Sequence, residues 1–508
     1  MVKPTDPHFV VRLMVPLALL MAALGMSQTF GEPFHREMLG HNGARYAHIA
    51  QNYERWGLTH LGGAPLLNTV KAPSSEEADV YAHHPPGLTW TMALVNRALG
   101  AEGEPYHRED RARLVPAVAT LLGILLLASL VSSVSDRLTG GLAAVLFAAM
   151  PMISVYGAHP DPQGPVVLTL SLLVIWSYLR WRGGGSLYPV ILASVAASGF
   201  DWYGLYAPLA CGIHLGVTDS SRRRDALGLC VLPLLLFGGW AWWLTSLPEM
   251  SWDRLSDAAS IRIGSQWESE SAVFAEHLSR WWKETMTLMP GWPGLLAAAL
   301  AVSCGRLLPP SLRPGSVKGQ GLVAMLVAPP LVHALIFPTG AVVHSYWLFG
   351  LPAALAAAVA LSLQRVRPGM ALAGAAILVF LGLEAQGALL KQGDRAPSLL
   401  GELIAEATDP EEIILTNYPT NVLLPHAAGY VMRLPEVTFY SDRKIRGGVE
   451  TEGDFSQALE TVPDATMFLL VNWPVESSPD LATAVERQCE ADPLLLHPDG
   501  VWLYRLRP

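Results

Sequence analysis

"RLVPAVATLLGILLLASLVSSVSDRLTGGLAAVLFAAMPMISVYGAHPDPQGPVVLTLSLLVIWSYLRW", Arg113 to Trp181, decides the architecture. It contains three apolar runs, each close to the ~20 residues that a helix needs to cross the hydrocarbon core of a bilayer. Between the first two runs stand Asp136 and Arg137; between the last two stands the polar turn "GAHPDPQG". With no water to satisfy backbone amides in lipid, such runs are helices. The rest of the chain repeats the theme: 508 residues, 51% apolar and only 15% charged, with positive mean hydropathy. About eleven spans are expected, near 10–30, 112–133, 139–157, 164–180, 186–200, 203–217, 226–246, 292–309, 319–338, 344–363 and 368–388.

Placing the N-terminus, with Lys3 and Arg12, in the cytoplasm makes the short loops alternate. Arg137, the pair Arg180 and Arg182, the run Arg222 to Arg224, then Arg306, Arg313 and Lys318, and finally Arg365 and Arg367 all fall inside. The outside turns near Asp161, Asp201 and His344 hold no Lys or Arg. This is the positive-inside pattern, and an odd number of spans leaves the C-terminus outside. The first run lacks a small-x-small cleavage site and is kept as a span. Cys211, Cys230 and Cys304 lie in or beside spans and Cys489 stands in the tail, a spacing that suggests neither a disulfide framework nor a thiolate metal site. No basic patch of the nucleic-acid type is present.

The expected fold is therefore an α-helical polytopic membrane protein with a small C-terminal α/β extracytoplasmic domain. Residues 1–395 form the membrane module, with a long outer loop over 31–110, and residues 396–508 form the tail. A third outer segment, about 248–290, is rich in Trp and expected along the interface. In the tail, "EEIILTNYP", "EVTFYSD", "TMFLLVNWP" and "VWLYRLRP" read as strands, and "SLLGELIAEATD", "DFSQALETV" and "DLATAVERQCE" as helices. The tail is expected to cap the outer face, either shaping an acceptor site or only stabilising the assembly.

In the outer loop, Tyr46, Ile49, Ala50 and Tyr53 share one helical face, while Arg45, His48, Asn52 and Arg55 form a polar stripe. The spacing predicts an amphipathic helix over 44–56 on the membrane surface. Asn42 is its expected N-cap, and a helix start attracts anions, so His41 and Asn42 become candidate anion contacts. Further on, "YAHHPPGLTW" puts His83 and His84 before Pro85 and Pro86 at a second helix entrance. Arg113 opens the next span, where either interfacial snorkelling or anion binding suits it.

Together these features resemble the GT-C superfamily of integral membrane glycosyltransferases. The nearest likeness is to bacterial protein-mannosyltransferase and aminoarabinose-transferase-like members, the glycosyltransferase family 39 type. It rests on "YAHIAQNYERWG", the His-Pro-Pro motif and the stretch from Arg113 to Trp181, covering roughly 9–200, and more loosely on "VVHSYWLFGLPAALAAAVAL". The resemblance implies transfer of a sugar from a polyprenyl-phosphate donor to a lipid, glycan or protein acceptor on the outer side of a bacterial inner membrane. Inversion is usual in such enzymes. The phosphate leaves readily, so what the chemistry requires is a base for the acceptor and donors for the phosphate.

Relatives commonly carry an acidic pair four and three residues before the Tyr of the first loop helix. Here those places hold Asn42 and Gly43. The base then comes from Asp161 in the second outer turn, from His41, or from Glu37. His83, His84, Arg113, His159 beside Asp161, and His344 (by family position and topology) are the candidate phosphate contacts, with Asn42 among them. A divalent cation held by His41, His83 or His84, and Asp161 is a further reading of the same residues. Asp201 is expected to cap the turn between two short spans. Of the ionisable residues within spans, Glu384, His214 and His333, none suggests a relay, which sets the transporter reading behind. A non-catalytic protein that binds lipid-linked sugars is the other alternative, because the acidic pair is missing.

Overall fold

A computed structural model describes residues 7–30, 34, 37–67, 80–81, 83–100, 109–247, 250–263, 279, 282–283, 317–338, 345–364, 379, 396–409, 412–417, 438–439, 441, 443–446, 449, 451–471, 479–490, 492–497 and 501–507. Helix α1 spans Pro7–Ser27, α2 Glu37–Trp56, α3 Gly87–Ala98 and α4 Glu109–Val134. Then come α5 (Arg137–Ala148), α6 (Pro151–Tyr156), α7 (Pro165–Arg182), α8 (Tyr188–Phe200), α9 (Tyr206–Thr218), α10 (Arg223–Thr245), α11 (Trp252–Ile263), α12 (Val317–Ile336) and α13 (Leu351–Leu363). Among the described residues three helices, Glu109–Val134, Ser220–Thr245 and Gly319–Ile336, are long and apolar enough to cross a membrane. Arg12–Ser27, Arg137–Ala148, Tyr188–Phe200 and Leu351–Leu363 are shorter apolar helices. The spans expected at 292–309 and, apart from Val379, at 368–388 lie outside the described residues.

The span expected over 139–157 is two helices. Pro151 has no N–H to continue α5, so the chain breaks at Met150, whose extended backbone carries Pro151 into the first position of α6. Asp136 caps α5 by accepting from the Thr139 N–H at 2.8 Å. α4 packs against α5 and α7, with α1 alongside α5. Thr120 Oγ1 of α4 donates to the Gly157 carbonyl at the start of the outer turn, and Thr169 Oγ1 of α7 to the Ala119 carbonyl of α4, both at 2.6 Å.

The first loop helix departs from expectation in two ways. It starts at Glu37, which places Asn42 inside the helix and removes it as N-cap. Nor does it lie open on a surface: Tyr46, Ile49 and Tyr53 of the apolar stripe and His48 and Asn52 of the polar stripe are buried, with Arg45 and Arg55 half-buried. The chain after it folds back over the polar side. Asn52 Nδ2 donates to the Leu66 carbonyl at 3.0 Å, and Tyr53 Oη donates to the Gly63 carbonyl at 2.7 Å. Gly63 has φ of 76°, a left-handed conformation that glycine adopts without cost, and its carbonyl also accepts from Trp90 Nε1 at 3.1 Å. Glu54 accepts from Asn96 Nδ2 at 2.7 Å, tying α2 to α3, and burial there raises its carboxyl above the usual range.

In the tail, a five-stranded sheet runs in the order β2-β1-β3-β5-β4, with β1 Ile413–Thr416, β2 Lys444–Arg446, β3 Met467–Val471, β4 Leu495–His497 and β5 Val501–Arg505. β1 is parallel to both neighbours and β5 antiparallel to both of its own. The three expected helices appear as Ala396–Ala407, Glu452–Thr461 and Pro479–Gln488. The strand expected at 436–442 does not: Thr438, Phe439 and Ser441 are helical, and the strand begins at Lys444.

Candidate functional site

The turn between α6 and α7 sits beneath α2. Asp161 is almost fully buried and divides its two oxygens. Oδ1 accepts from the Gln163 backbone N–H at 2.9 Å, closing the turn that launches α7 at Pro165. Oδ2 accepts from Asn42 Nδ2 at 3.0 Å. The turn role and a role in the site are thus held by different oxygens of one carboxylate. Burial is the largest influence on Asp161 and pushes its pKa up to about 7, with the Asp201 carboxylate adding to the rise. The Gln163 N–H, the Asn42 amide and the Arg45 guanidinium all draw it back.

Asn42 therefore serves the site by contact with a carboxylate, which its position inside α2 makes possible and an N-cap role would have precluded. Its burial inside the helix also removes the expected anion site at a helix start near His41 and Asn42. Glu37 and His41 lie in the same helix, but their side chains are outside the described residues, as is His344.

A second carboxylate stands nearby. Asp201 caps the turn between α8 and α9, as expected, by accepting from the Tyr203 N–H at 2.7 Å with Oδ1. Its Oδ2 meets His84 Nδ1 at 2.5 Å. With Nδ1–H donating there, Asp201 fixes the ring and its tautomer, leaving Nε2 as the other functional edge. Backbone proximity delivers this pair: a Cβ on Gly87, the first residue of α3, would run into the carbonyl of Gly199 on α8. Trp202 Nε1 donates to the His83 carbonyl at 2.8 Å, fastening the histidines to the same turn. The His83 ring is half-buried with its centroid 4.9 Å from that of Tyr81.

Arg113 is buried, so the snorkelling reading fails. Its guanidinium lies 4.8 Å from the centroid of the Phe34 ring. His159 meets the edge of the same ring at 6.2 Å. Arg45 lies over Tyr81 at 5.3 Å, and Tyr81 Oη shares a 2.8 Å hydrogen bond with Tyr46 Oη. A Cβ on Gly43 would sit 2.5 Å from Phe34 Cδ1 and 2.9 Å from His159 Nε2, so the position after Asn42 has no room for a side chain.

His333, noted in the sequence as an ionisable residue within a span but not as a site residue, lies beside the Asp161 turn. It is buried on α12, with Nε2 at 3.2 Å from Gln163 Nε2 and Nδ1 at 3.3 Å from Tyr206 Oη. Gln163 links it to the Asp161 turn. A lone His in "APPLVHALI" was its signal, since ionisable residues inside apolar spans mark function. The cation reading includes His41, whose side chain lies outside the described residues. His84 is engaged by Asp201, both Asp161 oxygens accept hydrogen bonds, and no three His, Cys, Asp or Glu side chains converge as a metal site among the described residues.

What the arrangement offers chemically is a buried carboxylate poised near neutrality, flanked by cationic and imidazole groups. Residues 83–243, which include His83, His84, Arg113, His159, Asp161 and Asp201, match the family described as dolichyl-phosphate-mannose-protein mannosyltransferase. The Archaeoglobus fulgidus oligosaccharyltransferase in complex with Zn and sulfate is similar over 97% of this chain and 72% of its own, at 12% identity and a TM-score of 0.50. ArnT from Cupriavidus metallidurans bound to undecaprenyl phosphate is similar over 98% of both chains, at 14% identity and a TM-score of 0.48. No curated protein matches the chain. At these identities the structural likeness is one of fold, and the fold is the GT-C fold that the sequence resembled.

Proposed function

From the premise that this chain has the GT-C fold and matches a mannosyltransferase family over residues 83–243, we propose that it is a membrane glycosyltransferase using a polyprenyl-phosphate-linked sugar. The family description, with its dolichyl-phosphate donor, supports the donor class. The observation that carries the reading is Asp161: buried, oriented by Asn42 and Gln163, and ionising about 7. A general base works best with a pKa near the operating pH.

Asp161 takes the proton of the acceptor hydroxyl or amine as that atom attacks the anomeric carbon. The bond from that carbon to the phosphate oxygen breaks, and the electron pair leaves with the lipid phosphate. A single displacement inverts the anomeric centre. Arg113 and His84 receive the phosphate, with Asp201 stabilising His84 as it gains positive character. His83 and His159 line the same region, and His344 is kept as a phosphate contact on its sequence position. His41 and Glu37 are the alternative bases. No step is routed through a metal ion. The acceptor, whether lipid, glycan or protein, meets the site from the non-cytoplasmic side of a bacterial inner membrane, with the N-terminus in the cytoplasm and the tail outside.

The deciding experiment is release of free polyprenyl phosphate by purified protein in lipid, across a panel of polyprenyl-phosphate sugars and membrane acceptor fractions. Release that depends on one sugar and one acceptor, and falls about 10²–10⁴-fold in Asp161→Asn, is the expected result. Asn42 in the place of an acid favours the second reading, a non-catalytic binder of lipid-linked sugars. Saturable carrier binding without release across the whole panel would establish that one instead.

A further inference from the structure

Among the described residues of the C-terminal part, Phe439 reaches the site. Phe439, fully buried, packs edge-on against Phe34 with centroids 5.5 Å apart, and it joins the cluster formed by Tyr46, Ala47 and Ile49 of α2. Phe34 is the ring on which Arg113 lies and against which His159 stands. It also abuts Gly43 so closely that an added methyl would collide. Its placement therefore sets the distance between α2 and Arg113.

The turn that presents Phe439 is held by an unusual investment of buried charge. Arg443 is almost fully buried. Its Nε donates to Thr408 Oγ1 at 2.8 Å, Nη1 to the Ser441 carbonyl at 3.0 Å, and Nη2 to the carbonyls of Ala405 (2.8 Å) and Thr408. These carbonyls belong to the end of the helix Ala396–Ala407, where a cation complements unsatisfied C=O groups. One guanidinium thus ties Ser441, two residues after Phe439, to the end of that helix. A buried charge with this many partners fixes geometry, since losing any of them leaves a costly unpaired group.

We infer that the C-terminal part is a working wall of the site, with Phe439 a positioning residue that holds Phe34 and, through it, Arg113. The ligand side of this inference rests on the proposed lipid-phosphate chemistry; the positional side does not. It is tested on the full chain in lipid nanodiscs by two readouts. The first is the rate at which phenylglyoxal modifies Arg113, followed by peptide mass spectrometry. Phe439→Ala and Arg443→Ala should each speed it about tenfold, as loss of one ring contact implies, and Phe439→Leu should restore most of the protection. The second is undecaprenyl phosphate binding, expected to weaken about tenfold in Phe439→Ala, with no further loss when Arg113→Gln is already present. Wild-type modification rates in Phe439→Ala, in protein whose melting shows it folded, overturn the inference, as do additive losses in the binding cycle. A wild-type protein that binds no undecaprenyl phosphate sinks the carrier reading alone, and the Arg113 modification rate still decides the role of Phe439.

Discussion

Replacing Asn42 by Asp tests the electrostatic logic of the site directly. The variant puts a carboxylate where an amide now donates to Asp161 Oδ2 at 3.0 Å. Two charges at that separation repel by about 5 kcal/mol at an effective dielectric of ~20, so the pair keeps one shared proton well above neutrality. The sign follows from proton counts. An unfolded Asp releases its proton near 4, whereas folded Asp161 holds one until about pH 7, so wild-type stability falls between those values and then levels. In Asn42→Asp the folded state keeps a proton beyond that point, and its stability goes on falling by about 1.4 kcal/mol per pH unit per proton. The gap between variant and wild type therefore widens by about 3 kcal/mol from pH 7 to pH 9, bounded by the repulsion itself. Loss of the amide donor adds an offset of about 1–3 kcal/mol. The assay is the unfolding midpoint of the full chain in detergent, followed by tryptophan fluorescence at one scan rate from pH 5 to pH 9, with infrared detection of a protonated carboxyl as a second probe. Parallel curves for variant and wild type above pH 7, with no retained carboxyl proton, would refute the reasoning.

Other expectations follow from single contacts. If Asp161 is the base, the rate of polyprenyl phosphate release rises with pH through about 7 as its carboxyl ionises, and a profile flat from pH 5 to pH 9 removes it from that role. Gly87→Ala forces α3 away from the Gly199 carbonyl and should cost about 1–3 kcal/mol, with carrier binding weakened as in His84→Ala; unchanged melting and binding would show the close approach to be unimportant. Tyr53→Phe removes the hydroxyl that donates to the Gly63 carbonyl and should cost about 1 kcal/mol, visible as a lowered melting midpoint. Gly43→Ala has no space between Phe34 and His159, so it should destabilise the chain and loosen Arg113, as read by the phenylglyoxal rate.

The sequence by itself determined the class of the molecule. Apolar runs of membrane length, a turn marked by Asp161 between prolines, and the α/β alternation of the tail are all local signals, because hydropathy and turn chemistry act within a few residues. It also flagged Asp161, His84, Arg113 and Asp201, since charged or capping residues at the ends of apolar helices stand out against their neighbours. What only the tertiary structure decided is who partners whom. Asn42 looked like a cap because it stands just before the amphipathic stretch 44–56, yet a helix starting at Glu37 turned its amide toward a carboxylate 119 positions away. The helix with its polar stripe was expected on the membrane surface, and the fold-back through Gly63 and Leu66 covers Asn52 and Tyr53. His333, Phe34 and Phe439 carry no local signal of their partners. Their meaning arises when spans and tail pack together, and contacts between distant segments depend on shape that no window of sequence contains.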